Sequence, residues 1–223
     1  MEETSNVLFS IIGLEVTRPV VTSWAIMLVL VVISILTTKN LKEVPGTLQN
    51  IMEMAIERLE GFFEAILGYE YMRKYFSVFA TLFIFIVVSN YSGLLPGAGE
   101  LFSVPTASLS VTAGLAVVAF LTIHMIGIRH QGAVGYLKSF LKPFILMLPL
   151  VLIEQAVRPF SLALRLYGNL YGEEQVTAQL TKMFPIILPL VMKVLSLLFC
   201  LIQAMVFTML LAIFVHEAIG EEE

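Results

Sequence analysis

A stripe of polar and charged side chains runs through one otherwise apolar stretch of the sequence. The stretch covers residues 154–174 and reads EQAVRPFSLALRLYGNLYGEE. Its polar or small members recur at spacings of four, three, four, four and three residues: Glu154, Arg158, Ser161, Arg165, Asn169 and Gly172. Positions three and four apart share one face of a helix, so the pattern predicts a polar face along an apolar helix. Charged groups at membrane depth are costly, and by default they mark a functional site.

Arg165 lies near the middle of this stripe, and three interpretations of it compete. It can pair with an acid on a neighbouring helix, which gives it a purely structural role. It can extend to the lipid headgroups, although this suits Arg158 and Glu154 better, because Arg165 lies farther from any obvious chain end. The functional interpretation is a permanent cation that lines an ion path, since arginine does not lose its proton at accessible pH.

Two acids, Glu173 and Glu174, end the stretch. Glu174 comes nine residues after Arg165, which is roughly 180° around a helix, whereas Glu173 lies about 80° from it. A titratable acid opposite a fixed cation indicates two compartments separated by one helix. The alternative is that both acids lie at the outer water interface and have no role.

A weaker polar stripe occurs in the last apolar segment. Its members follow at spacings of three, four and three residues: Lys193, Ser196, Cys200 and Gln203. An amide such as that of Gln203 on an apolar helix commonly holds two helices together by a hydrogen bond.

The composition restricts the class of protein. Of the 223 residues, 58% are hydrophobic and 13% are charged, whereas soluble domains are about 25% charged. There is no basic cluster for nucleic acid, no P-loop for nucleotide, no metal-binding spacing and no catalytic motif, and the chain has one cysteine. We therefore expect an ion conduit or transporter in the bilayer, with no catalytic residues, metal or cofactor. A lipid-handling membrane enzyme is disfavoured, because it would need a cluster of His or Asp residues at one interface.

The elements that must position these stripes are helices, because a spanning helix needs about 20 mainly apolar residues. We predict an all-α integral membrane protein with about five spanning helices, formed by one membrane domain that covers residues 1–223. Its predicted parts are a first span at 20–38, an interfacial amphipathic helix at 47–70, a second span at 74–96, a third at 107–127 and a hairpin at 142–219. The two arms of the hairpin each approach forty residues. A helix of that length is longer than the thickness of a bilayer core, roughly 30 Å, so we expect both arms to be strongly tilted.

Basic residues orient such a chain, because they concentrate on the cytoplasmic side. An outside N-terminus puts two basic residues outside, Arg18 and Lys182. It puts eight inside: Lys39, Lys42, Arg58, Arg73, Lys74, Arg129, Lys138 and Lys142. We therefore expect the N-terminus outside and the C-terminus in the cytoplasm.

Five sequence elements together resemble the membrane subunit a of F-type ATP synthases. They occur in the family's order: SNYSGLLPG at 89–97, VPTAS at 104–108, PLVLIEQAVRP at 149–159, PFSLALRLYGNLYGEE at 159–174 and LIQAMVFTML at 201–210. The resemblance covers about residues 70–210. It implies the stator subunit of a rotary ATP synthase, a multi-pass protein of the bacterial plasma membrane.

The resemblance also implies roles for individual residues. Arg165 would be the stator arginine that faces the rotating c-ring. Asn169 would be its polar neighbour, Glu174 the acid of the outer half-channel and Gln203 the amide near the arginine on the last helix. Ser161 and Glu154 would line the stripe towards the inner side.

Three positions depart from the family pattern, and the mildest is Tyr167, which stands where Phe is usual. Glu173 occupies a place where the family usually has Gly, so Glu173 and Glu174 would share the access role. Ser196 stands where many relatives carry a titratable His or Glu, which leaves the acid of the second half-channel open.

The function implied is to provide two ion half-channels to and from the c-ring, and so to couple ion flow to ATP synthesis. The ion would be a proton, with sodium as the alternative. The implied partners are the c-ring, the peripheral-stalk b subunits and the lipid bilayer, with no nucleic acid and no nucleotide bound by this chain. The alternative function is a stand-alone secondary transporter, a class that often shows internal repeats, and this sequence has none.

Overall fold

The chain is described by a computed structural model over residues 7–11, 14–39, 46–95, 103–140, 148–183 and 187–220. Helices dominate these residues. In chain order the elements are β1 Val7–Ile11, β2 Leu14–Thr17, α1 Arg18–Thr38, α2 Thr47–Leu67, α3 Tyr69–Ser92, a short 3-10 helix Pro105–Ala107, α4 Leu109–Ser139, α5 Leu148–Met183 and α6 Ile187–Ile219. The predicted all-α membrane protein agrees with this architecture, and a small β-hairpin is added to it.

The hairpin pairs β1 with β2 antiparallel, with an irregularity between Val7 and Phe9, and it leads directly into α1. Sequence reasoning missed it because a search for long apolar runs does not detect strands of five and four residues. Short strands also give a weak periodic signal.

Among the residues that the structure describes, four helices are long and apolar enough to cross a membrane: α1, α3, α6 and the part of α4 from Leu109 to Lys138. Helix α5 is not among them, because its polar stripe lowers its hydropathy. That α5 is the remaining one of the five predicted spans therefore stays a prediction. Helix α1 is peripheral, since Leu28, Val31 and Leu36 are exposed on it, as suits a helix that meets lipid tails.

Helix α2 carries separate acidic and apolar faces. Its Glu53, Glu57 and Glu64 are exposed, whereas Phe63 and Leu67 are fully buried in the core. Gly68 ends α2 with a φ of +77° and begins α3 at Tyr69, five residues before the predicted start of the second span. A residue with a Cβ rarely adopts this φ, so glycine is what permits the abrupt change of direction.

The core lies between α2, α3, α4, α5 and α6. Its largest fully buried apolar side chains are Phe63, Leu67, Phe79, Ile86, Leu162, Leu166, Phe207, Leu211 and Val215. Lipid tails are as apolar as these side chains, so close packing and polar contacts hold the helices together.

Helix α4 extends beyond the predicted third span, to Ser139, and breaks at Gly132 with φ 72° and ψ 156°. The break lets Tyr136 pack on the preceding part of the helix, where its ring lies 5.8 Å from that of His124. A Cβ at Gly127 would lie 2.5 Å from Tyr136 Cε2, so only glycine leaves room for this ring.

Helices α5 and α6 contain 36 and 33 residues and pack against each other. Pro159 lies inside α5, and Pro149 and Pro189 lie in the first turns of α5 and α6, where the missing N–H is not needed. Residues 184–186, between the two arms of the predicted hairpin, and residues 142–147, at its predicted start, lie outside the described residues.

Candidate functional site

Polar contacts join α5 to α6 at several levels along their length. Near the middle, Asn169 Nδ2 donates a hydrogen bond to Gln203 Oε1 at 2.7 Å. The Gln203 side chain is buried, with an exposed fraction of 5% for the residue. The two predicted polar residues thus meet directly.

Glu173 and Ser196 make the next contact. The Ser196 hydroxyl bonds a carboxylate oxygen of Glu173, and it also lies 2.8 Å from the Met192 carbonyl. Ser196 is buried, with 2% exposed. A hydroxyl both donates and accepts, so Ser196 can bond Glu173 when it is ionised and when it is protonated. Glu174, the neighbouring acid, is exposed.

Arg158 forms two ion pairs at the opposite end of the α5 stripe. Its Nη2 lies 2.6 Å from Glu154 Oε1, one turn earlier on α5, and 2.7 Å from Glu217 Oε2 on α6. The guanidinium also lies 4.6 Å from the centre of the Phe214 ring, and only 15% of the side chain is exposed. For Arg158 the structural interpretation, an arginine paired with acid on a neighbouring helix, matches the observed contacts.

Glu217 was missed by sequence reasoning. It follows Gln203 by fourteen residues, which is nearly four turns, so it falls within about 40° of the same helix face. That spacing could have identified it as a continuation of the weaker stripe.

Arg165 differs from Arg158 in its surroundings. It is exposed, and within the described part of the chain no carboxylate lies within 4 Å of its guanidinium. Its neighbours Leu162 and Leu166 are buried in the core, so Arg165 occupies the outer side of α5. Ser161, one turn away, is exposed too.

Helix α3 adds polar groups that were not predicted from the sequence. Asn90 Nδ2 donates to the Cys200 carbonyl at 3.2 Å, and Tyr91 Oη donates to the Leu197 carbonyl at 3.1 Å. Both acceptors belong to α6, within one or two turns of Ser196 and Gln203. Asn90 belongs to the SNYSGLLPG element, and a polar amide within this mainly apolar segment could have marked it as a candidate.

Several buried polar atoms in this region lack a hydrogen-bond partner among the described residues. They are Ser89 Oγ, Asn90 Oδ1 and Gln203 Nε2. Buried polar groups are nearly always bonded to protein or to ordered water. The region between α3 and α6 therefore offers buried donors and acceptors that water can bond.

A polar cavity of about 590 Å³ lies at the end of the bundle near the C-terminal end of α6. Its lining includes Glu154, Arg158, Glu217, His130, Gln131 and Tyr136. Gln131 Nε2 donates to the carbonyls of Ala218 and Ile219 at 3.1 and 3.2 Å, which satisfies acceptors that a helix end leaves free. No three His, Cys, Asp or Glu side chains among the residues the structure describes are grouped to hold a metal ion.

Comparison with known proteins gives a consistent result. The family model described as ATP synthase A chain matches residues 20–216. A protein of Bradyrhizobium sp. named ATP synthase subunit a 2 is 35% identical over 97% of this chain and 95% of its own length. Proteins named ATP synthase subunit a from Geobacter sp. and Citrifermentans bemidjiense are 40% and 41% identical over 88% of this chain and 85% of their own. The resemblance seen in the sequence is confirmed, and the chain belongs to the ATP synthase A chain family.

Proposed function

We propose that this chain is the stator subunit of a rotary ATP synthase and that it passes ions to and from the rotating c-ring. Membership of the ATP synthase A chain family supports this assignment. The chain performs no bond chemistry itself, and it converts ion flow across the membrane into rotation of its partner ring.

The observation that carries the proposal is the contrast between Arg165 and three other polar residues of α5. Asn169, Glu173 and Arg158 each contact a polar group of α6. Arg165 is exposed and has no carboxylate within reach among the residues described. A permanent cation on an apolar outer surface is costly unless something pairs with it. A carboxylate of the ring is the partner that fits.

The physics of the cycle follows from this pairing. A ring carboxylate beside Arg165 is favoured as the anion, because opposite charges attract strongly where water is scarce. Away from Arg165, in lipid, the carboxyl must be neutral, because a bare charge there is too costly. Each ring site must therefore release its ion before it meets Arg165 and load another after it. One charge that crosses 100 mV supplies roughly 2.3 kcal/mol.

The outer half-channel is proposed to run between α3, α5 and α6. Glu173 and Glu174 would exchange the ion, with Ser196 and Gln203 beside them. Ser89, Asn90 and Gln203 each have a buried polar atom with no hydrogen-bond partner among the described residues, which supports a hydrated path here.

The inner half-channel would approach Arg165 from the Ser161 side of the stripe. Arg165 then separates the two half-channels, so an ion crosses only by riding the ring. The proton is our proposed ion, because the acids at the outer side can pass protons; sodium is the alternative, since the ring binds the ion. The proposed setting is the bacterial plasma membrane, with the N-terminus outside, the C-terminus in the cytoplasm, and b subunits and lipid around the bundle.

ATP-driven ion pumping in vesicles that carry the whole complex tests the proposal. Arg165→Ala is expected to abolish pumping while the complex still assembles and its soluble head still hydrolyses ATP. Lys182→Ala is the matched control, because Lys182 is another exposed cation on α5, and it should leave pumping unchanged. Pumping at a near-native rate in Arg165→Ala would show that Arg165 is a structural cation.

A further inference from the structure

Helix α5 carries two permanent cations on one stripe. Arg158 and Arg165 are seven residues apart, so they lie about 20° apart around the helix and roughly 10.5 Å apart along it. A ring carboxylate that passes this stripe is attracted by both charges. A second free cation two turns from the first would hold the ring anion outside its exchange position and slow each step.

The structure treats the two cations differently. Arg158 is paired with Glu154 at 2.6 Å and with Glu217 at 2.7 Å, and its side chain is 15% exposed. Arg165 is exposed, and no carboxylate among the described residues reaches it. The two carboxylates outnumber the single guanidinium, so the cluster of Glu154, Arg158 and Glu217 has a net negative charge.

We propose that Glu154 and Glu217 mask the charge of Arg158, so that Arg165 is the cation that a ring carboxylate meets. Glu217 acts as a positioning residue through Arg158 and touches neither the ion nor the ring. This inference rests on the proposed function, because it needs a moving ring carboxylate. It gives Glu154 and Arg158 a different role from direct ion carriers along the stripe.

A plain structural role for the cluster is the main competing explanation. An ion pair that joins α5 to α6 can simply hold the helices in register, and removal of one partner leaves a half-buried charge without compensation. Both explanations predict that loss of the carboxylates is harmful. They differ in the pumping rate per assembled complex, because an uncompensated half-buried charge lowers the amount of complex that assembles, whereas an unmasked cation slows the complexes that do assemble. A lost tether, in addition, is not restored when the arginine is then removed as well.

The experiment compares two variants of the whole complex in vesicles by ATP-driven pumping. Glu154→Gln with Glu217→Gln removes both negative charges but keeps the shape and a hydrogen-bond acceptor. The second variant adds Arg158→Gln, which removes the cation that the first variant left unmasked but cannot restore the ion pair between the helices. We expect the first variant to slow pumping about fivefold and the second to recover to within about twofold of native.

Two results overturn the inference. The charge-deleted double variant can pump at the native rate, in which case no masking is needed. The triple variant can pump as slowly as the double variant or more slowly, in which case the cluster is a tether. Glu57→Gln with Glu64→Gln is the control, because it removes two exposed carboxylates on α2, outside the hairpin.

Two further comparisons keep the test decisive. If the double variant does not assemble, Glu217→Gln alone is compared with Glu217→Gln plus Arg158→Gln, with the same ordering of rates expected. Arg165→Ala is measured in parallel in the native background. If that variant pumps, the proposed function is wrong; if it does not pump and Arg158→Gln gives no recovery, only the masking role is wrong.

Discussion

At the scale of single residues, α5 combines an exposed arginine, Arg165, with several polar groups that contact α6. Asn169, Glu173 and Arg158 on α5 each have a polar contact on α6. These contacts fix the side chains around Arg165 and leave its guanidinium available to a group outside the chain. The proposed role of Arg165 depends on its charge and on the lack of a carboxylate near it among the described residues.

Ser196 gives a prediction at this scale. Ser196→Ala is expected to slow ATP-driven pumping about tenfold, because Glu173 loses the group that bonds it in both protonation states. Thr122→Ala is the matched control, since the Thr122 hydroxyl bonds a carbonyl of its own helix at 2.8 Å, as Ser196 does. An unchanged pumping rate in Ser196→Ala would remove Ser196 from the ion path.

Only some residues of the site could be predicted from the sequence. The spacing of Glu154, Arg158, Arg165 and Asn169 identified one face of α5, because helical periodicity is a local property. The identity of the group opposite each residue depends on how two helices pack, and periodicity contains no such information. Spacing could place Glu217 on the weaker stripe of α6, but it could not show that Glu217 pairs with Arg158.

At the scale of elements, two glycines with positive φ set the directions of the chain. Gly68 separates α2 from α3, and Gly132 breaks α4. Helix existence was predictable from apolar length, and helix ends were less so. The predicted third span ended at residue 127, because apolar length cannot reveal that a helix continues past a break and folds back on itself.

Gly132 allows a prediction about stability. Gly132→Ala is expected to destabilise the protein by roughly 1–3 kcal/mol, because φ 72° with ψ 156° is nearly restricted to glycine. A Cβ there would meet nothing within 4 Å, so the cost is in the backbone alone. The measurement is the thermal midpoint of the detergent-solubilised complex.

Gly135 provides the control within the same helix. A Cβ at Gly135 would make an ordinary contact at 3.6 Å with Gln131 Cβ, and its φ is not positive. Gly135→Ala should therefore be neutral or stabilising, since Ala has the higher helix propensity. Equal midpoints for the two variants would contradict a strained conformation at position 132.

At the scale of the whole molecule, the bundle has two chemically different ends. One end holds the cavity lined by Arg158 and Glu217, and the other half of the hairpin holds Glu173 and Ser196. Arg165 lies between these regions along α5. The hairpin therefore presents different polar groups on the two sides of Arg165.

The orientation of the bundle can be measured directly, because the chain has a single cysteine, Cys200, and it is buried. Cysteines introduced at Lys182 and Lys138 lie at exposed positions. In right-side-out vesicles, an impermeant thiol reagent is expected to label Lys182→Cys and not Lys138→Cys. Labelling should reverse in inverted vesicles; the same pattern in both preparations would contradict the proposed orientation.

The contact between Gln131 and the end of α6 has a consequence for how the protein is made. The ribosome adds Gln131 nearly ninety residues before it adds Ala218 and Ile219, whose carbonyls the Gln131 amide bonds. Until those residues emerge, the Gln131 amide has neither of these acceptors, and Arg158 has the carboxylate of Glu154 but not that of Glu217. A chain cut short before Glu217 would therefore keep a free amide on α4 and lack the ion pair that joins α5 to α6, two differences by which quality control can distinguish it from the longer chain.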